Sequence, residues 1–439
     1  MPSPFRNYLS LLRQYPCKVL SSPAGYFVRP HQDFTRHRSL FLERIQWLIV
    51  GLLRKTLSIE LDRFFEGLFS DELAVTKSAL VQARAKLLPR FFRDLFQLST
   101  DAFYKEMPFR RWQGFRLWAT DGSGFRLPDV LELGETFGWH GNQHNRVPSS
   151  RMLVAFDLLN QVFTKVAFHT RHCAELVMAV KWVGSLPRDV VMVYDRGYAS
   201  HLLPYLHRHF GSNCIVRMPV GQSKTIESFV KSGQTQQTVT ETLQIKARNS
   251  LNGMGIAVNA STTITFRLIR FVLPNGTVEV LLTTLLDKKT FRHHHFGRLY
   301  HKRWGIETAF FVIKSYLKLC IFSAHTSNRC IQDLFSTFIF YNIQTASIHE
   351  LQPKLAEVNQ RRSLEYQANR NVGAGLLKRF FTRFFVLPEG GIAKALAQYT
   401  KLMLQSIEPV RPNKNRVRKR KMMRGTERHV HEKNYRPAI

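Results

Sequence analysis

The segment from residue 115 to residue 218 changes its hydrophobic period in an order that few architectures accommodate. Phe115–Thr120 predicts a strand ending on Asp121, with Gly122-Ser123-Gly124 as the turn after it. Met152–Leu158 predicts a second strand, Leu159-Asn160 its tight turn, and Val162–Phe168 the antiparallel partner. Residues 174–186 then take helical spacing. Val190–Tyr194 is an apolar run ending on Asp195, of the kind buried inside a mixed sheet. The helix His201–Phe210 and the strand Cys214–Met218 continue the alternation. Two aspartates therefore fall at the carboxyl ends of strands, where open α/β sheets gather their chemistry.

Three strands, a helix and a strand follow the element order of a ribonuclease-H-like core. The expected fold class is thus α/β, with a mixed-sheet catalytic core of that kind. From 220 to 290 the sequence turns polar and β-prone: Thr263–Val272, a Pro274-Asn275-Gly276 turn, then Val278–Thr284. This predicts a β-rich insertion. Ahead of the core, Leu42–Ile49, Ser58–Phe65 and Ser78–Lys86 have helical spacing, the last with Thr76 or Ser78 as its cap. Short basic helices with turn-like breaks suit a DNA-reading module, and equally a bundle that braces the core. The expected division is a helical N-terminal DNA-binding region at 1–110, the first part of the core at 111–219 and the insertion at 220–290. The catalytic helix and end of the core follow at 291–350, C-terminal helices (Ile331–Ala346 begins them, Leu376–Phe385 continues) through 351–410, and a basic tail at 411–439.

Tyr300–Lys314 is the second constraining segment. At about 100° per residue an uninterrupted helix would hold Tyr300, Arg303, Glu307 and Lys314 within an arc of about 60°. Ile306, Phe310, Ile313 and Leu317 would form a stripe roughly 80° further round. One face would enter a core; the other would present a carboxylate framed by two cations and a phenol. That suits a site that binds a metal and holds phosphates, although a solvated charged face gives the same pattern.

Charge decides the partner class. The chain has 64 Lys+Arg against 31 Asp+Glu, a formal +33 distributed along its length, which points to a polyanion. Nucleic acid is favoured over an anionic membrane, because there is no lipidation signal or Lys-rich amphipathic anchor. The apolar run Trp47–Leu53 is too short to span a bilayer, so no membrane is expected and the location expected is the cytoplasm, in contact with DNA. Five scattered cysteines without CxxC spacing suit a reducing compartment. The tail around Arg416–Lys421 is either a solvated end or a source of non-specific phosphate contacts.

Asp121, Asp195 and Glu307 offer the hard oxygen ligands that Mg²⁺ or Mn²⁺ takes. Two such ions about 3.5–4 Å apart can activate the attacking oxygen and stabilise the leaving one in phosphodiester displacement. An Asp closing a strand is also a common turn former. Taken together, Asp121-Gly122-Ser123, Asp195-Arg196-Gly197-Tyr198 and Tyr300-x2-Arg303-x3-Glu307-x6-Lys314 resemble the DDE transposases of bacterial insertion sequences. The likeness is to the IS-four group, whose signature is that Tyr-Arg-Glu-Lys spacing. Val75–Ala79 through Arg84 resembles the helical segment that precedes the catalytic domain there, and Tyr341-Asn342-Ile343 a short motif beyond the catalytic helix. The resemblance runs from about residue 40 to 350.

It implies that Asp121, Asp195 and Glu307 form the catalytic and metal-binding triad, with two Mg²⁺ or Mn²⁺ ions per site. Tyr300, Arg303 and Lys314 would contact phosphates of the transposon end. Trp304 would stack on DNA or enter the core; Arg196 and Tyr198 would reach the DNA backbone or shape their loop. The implied activity is cut-and-paste transposition: hydrolysis at the transposon ends, a hairpin intermediate, and strand transfer into target DNA. The implied partner is double-stranded DNA, bound by a dimer in a synaptic complex. A non-transposing DNA-binding protein and a structure-selective nuclease on the same fold are the alternatives. His293–His295 and the set His169, His172, Cys173 lack the ligand spacing of structural zinc, and Glu175 is expected to stabilise a helix N-terminus. No GKS/T-ending loop marks an ATP-driven motor.

Overall fold

The computed structural model describes residues 3–36, 39–52, 56–66, 75–141 and 146–410, so the expected basic tail lies outside the described residues. The chain divides by packing into two units. The first takes the described residues up to Pro108, Arg126–Ser149, and those from Phe310 on; the second takes Phe109–Phe125 and Ser150–Ala309.

The second unit is built on a mixed sheet. Its strands are β1 (Arg116–Arg126), β3 (Arg146–Asp157), β4 (Val162–Thr170), β5 (Val190–Tyr194), β6 (Asn213–Met218), β7 (Gln236–Thr242), β8 (Thr263–Val272) and β9 (Val278–Thr283). Trp139–Gly141, β2, pairs with the first residues of β3 in the other unit. The order is β4-β3-β1-β5-β6-β9-β8-β7. β5 runs parallel to both β1 and β6, whereas the β3–β4, β6–β9, β9–β8 and β8–β7 pairs are antiparallel. All five residues of β5 are buried, as its β-branched run requires of a central parallel strand. The polar stretch 220–290 does not stand apart from this sheet: β9 pairs with β6 and carries β8 and β7 outward, with helices Lys224–Lys231 and Ile245–Gly253 between strands.

β1 departs from expectation at its end. Asp121 does not close the strand, and Gly122-Ser123-Gly124 is not a turn; the strand runs on to Arg126. Turn-former composition is overridden here by tertiary pairing.

The first unit is helical. Ser327–Gln360 is its longest helix, buried from Gln332 through Ile348, and Pro89–Glu106 and Leu42–Gly51 pack against it. Trp47 stacks on Phe385 of the helix Arg370–Phe385, with ring centroids 3.9 Å apart. Thr76, and not Ser78, caps the helix Lys77–Ala85 by accepting from the Ala79 N–H at 3.2 Å. Tyr341, Asn342 and Ile343 are all buried, and the Asn342 amide donates to the hydroxyls of Ser99 and Thr100.

The segment Tyr300–Lys314 is not one regular helix. It comprises helices His294–His301 and Trp304–Phe311, then a π turn over Val312–Tyr316. At the junction the N–H groups of Arg303, Gly305 and Ile306 reach back only three residues, tightening the turn. The π turn then widens it, so the single-period arc does not carry through to Lys314. The apolar stripe fares better: Ile306, Phe310, Ile313 and Leu317 are all buried. Among the described residues no helix is long and apolar enough to cross a membrane.

Candidate active site

Parallel register brings the first two acids together. Arg116 pairs with Val190 and Ala119 with Val193, so two residues further on Asp121 stands level with Asp195. Neighbouring strands lie about 4.8 Å apart, and residues level with one another in a parallel pair point to the same face. Asp121 Oδ1 accepts from the Gly122 N–H at 2.8 Å. Asp195 leaves β5 and caps the 3₁₀ turn Arg196–Tyr198, its Oδ1 accepting from the Gly197 N–H at 2.8 Å.

Burial pushes the Asp121 carboxyl up to about 6. The Gly122 N–H and the Arg303 guanidinium oppose that rise, and the negative charges of Asp195 and Glu175 add to it. This is the pattern of acids held close together in low dielectric. Glu307 lies on the helix Trp304–Phe311 and accepts from Arg303 Nη2 at 3.1 Å. The Arg303 side chain is only 11% exposed, and the Tyr300 phenol with the carboxylates of Asp121 and Glu307 holds its guanidinium more firmly protonated despite burial.

Two buried polar atoms here have no partner: the Tyr300 hydroxyl and Arg303 Nε. Burial raises the Tyr300 phenol, so it stays a donor at neutral pH. Two orphan donors beside an acid cluster are free to donate to an incoming oxyanion.

The donor set is carboxylate oxygen throughout, and its mutual repulsion is what a hard divalent cation would relieve, so the residues fit one. Among the described residues no three Asp, Glu, His or Cys side chains converge closely enough to enclose an ion in this arrangement; Glu307 is engaged with Arg303. The other expected residues separate. Trp304 is 55% exposed, which excludes the core-packing alternative for it. Arg196 is exposed. Tyr198 is buried and donates its hydroxyl to Glu175 Oε2 at 3.2 Å, a bond that shapes its loop. Lys314 lies on the π turn in the first unit, its ammonium 5.8 Å from the Phe310 ring centroid.

Glu175 was not expected in this company. It opens the helix Glu175–Val183, as its N-terminal role required, yet its charge reaches Asp121. A carboxylate at a helix start was visible in the sequence; its approach to β1 was not.

Carboxylates within β1 and just past β5, beside a buried arginine and an unpartnered phenol, have the chemistry to engage a phosphodiester. The chain belongs to the transposase DDE domain family, whose model matches residues 112–343. It is a DNA transposase, of the endonuclease and strand-transferase class. It is 26% identical over 321 residues to the transposase InsG of insertion sequence element IS4 from Escherichia coli K12, a match covering 70% of each chain. The putative transposase InsZ of the same strain is 25% identical over 130 residues, covering 29% of this chain and 44% of that one. A piggyBac transposase synaptic complex with hairpin DNA aligns with 95% of this chain and 84% of its own, at 10% identity and a TM-score of 0.43.

Proposed function

We propose that this transposase moves an insertion sequence by cut and paste, using a ribonuclease-H-like core in which Asp121, Asp195 and Glu307 hold the divalent cation, as a pair of Mg²⁺ or Mn²⁺ ions. The strand order β4-β3-β1-β5-β6, with parallel β1–β5–β6 and antiparallel β3–β4, supports that core. The observation that carries the site reading is the register that sets Asp121 level with Asp195 under the charge of Arg303.

When bound, the cations supply Lewis-acid polarisation of the scissile phosphate. Arg303 stays cationic beside the acids and offers its free Nε–H to a phosphate oxygen, and Tyr300 offers its unpaired O–H. Arg303 also steers the Glu307 carboxylate, donating from Nη2 to its Oε1. Trp304 and Arg196 supply exposed stacking and charge for the DNA flanks, and Lys314 a further phosphate contact. Synapsis of two ends by a dimer, the hairpin intermediate and the cytoplasmic setting belong to the same reading.

The test uses duplexes taken from the ends of the DNA flanking the coding region, with purified protein and Mg²⁺ or Mn²⁺. Wild type nicks them, and Glu307→Gln reduces nicking about a thousandfold or more while still binding DNA. Equal nicking by Glu307→Gln would remove Glu307 from the site. A precut end with a free 3′-hydroxyl yields joined products; hydrolysis without joining would make the protein a nuclease only.

A further inference from the structure

We propose that Glu175 is a fourth carboxylate of the cation centre, one that closes onto the ion with Asp121 and Asp195 when it binds. This rests on the metal-centre reading above. The first observation is a close approach. A Cβ at residue 122 would collide with Glu175 Cδ and Oε1. Only glycine in that place admits the carboxylate beside Asp121, whose own Oδ1 is bound to the Gly122 N–H. Gly122 lies inside a strand, where glycine weakens pairing and marks close approach by another group.

The second observation is a tether. Tyr198, buried and three residues beyond Asp195, donates its hydroxyl to Glu175 Oε2 at 3.2 Å, leaving Oε1 free of that bond. A ligating carboxylate steadied by an outer hydrogen bond is how metal sites are oriented. The phenol itself stands among the charges of Glu175, Asp121 and Asp195 together. The third is position. Glu175 is the first residue of its helix, whose cap residue Ala174 supplies no side-chain bond. A helix N-terminal charge alone would be served by a carboxylate turned to solvent; this one is turned onto β1.

The experiment is isothermal titration of Mn²⁺ into the full-length protein without DNA, for wild type, Glu175→Gln and Asp121→Asn, with melting temperatures taken in the absence of metal. Glu175→Gln is expected to weaken Mn²⁺ binding about tenfold or more while remaining folded. If Asp121→Asn loses Mn²⁺ but Glu175→Gln binds it as wild type does, Glu175 is only a helix-terminal charge and the proposal falls while the metal centre stands. If Asp121→Asn also binds like wild type, the centre is misplaced and both readings fall. Glu175→Asp keeps the charge and withdraws it by one methylene, so it carries the same test should Glu175→Gln unfold; unchanged Mn²⁺ affinity there overturns the proposal.

Discussion

Each unit buries an arginine beside carboxylates, and the two arrangements differ in what they leave unmet. In the first unit Arg84 is 2% exposed and donates to Gln332 Oε1, Ser323 Oγ, the Arg329 carbonyl and Asp333 Oδ1, at 2.7, 2.7, 2.6 and 3.0 Å. Asp333 in turn accepts from the N–H and hydroxyl of Ser323. In the second unit Arg303 bonds one carboxylate, leaves Nε without a partner, and lies beside a phenol with none. The satisfied cluster ties a helix to its neighbours. The unsatisfied one holds strained charge and open donors in a fixed place, which is the condition of a site that awaits a ligand.

The sharpest way to break this comparison is to remove each charge and measure stability. Arg84→Ala would leave Asp333 buried without its counter-charge, so a loss of about 3–5 kcal/mol is expected in urea unfolding. A loss below about 1 kcal/mol would mean that the network is not a structural tie.

Asp121→Asn should act in the opposite direction in metal-free protein. Its folded pKa is raised to about 6 from 3.8, so the folded chain holds a proton that the unfolded chain gives up more easily. Stability therefore falls as pH rises from about 4 to about 6, and the deficit persists above that range. Asparagine has no such deficit. At pH 8 the variant is expected to gain about 1–3 kcal/mol, an advantage that vanishes near pH 4. Denaturant melts at the two pH values check it, and a variant destabilised at pH 8 would end the claim of stored repulsion. Added Mn²⁺ should stabilise wild type and narrow the gap.

Much of this contrast was legible in the sequence, but unevenly. The sheet around Asp121 and Asp195 announced itself because β5 is a continuous apolar run and β3 and β4 form a tight antiparallel pair. The acids and Arg303 were singled out through motif spacing, which survives local irregularity. What spacing could not show is the tightened turn at Arg303 and the π turn at Lys314, since both arise from backbone hydrogen bonds that the side-chain pattern does not encode. Arg84 was legible as a basic helical residue and so as a candidate to meet DNA; its burial depends on distant partners such as Ser323, 239 residues further along the chain. Gly122 suggested a turn by composition, and its real constraint is the carboxylate of Glu175.

Tyr300→Phe sharpens the second half of the comparison. Its hydroxyl is buried without a partner, so deleting it should leave the free protein unchanged or stabilise it by about 1 kcal/mol. The same change should weaken binding of a transposon-end duplex about tenfold or more if the hydroxyl meets a phosphate. A marked loss of stability with unaltered binding would make Tyr300 a packing residue.

The smallest stability effect should come from Trp304, which separates the two kinds of region from outside. Its side chain is 55% exposed, so Trp304→Ala removes little buried surface and should shift stability by no more than about 0.5 kcal/mol. Large exposed aromatics beside a cationic site have a use in nucleic-acid binding, because every base presents a face on which to stack. Each such contact is worth about 1–3 kcal/mol. Fluorescence of this tryptophan, isolated by comparison with Trp304→Ala, should be quenched on adding end DNA, and the variant should bind that DNA about tenfold more weakly. Unchanged quenching and affinity would place the DNA elsewhere and leave the exposed ring as surface alone, whereas a large fall in melting temperature would show that Trp304 belongs with Arg84 among the residues that hold the chain together.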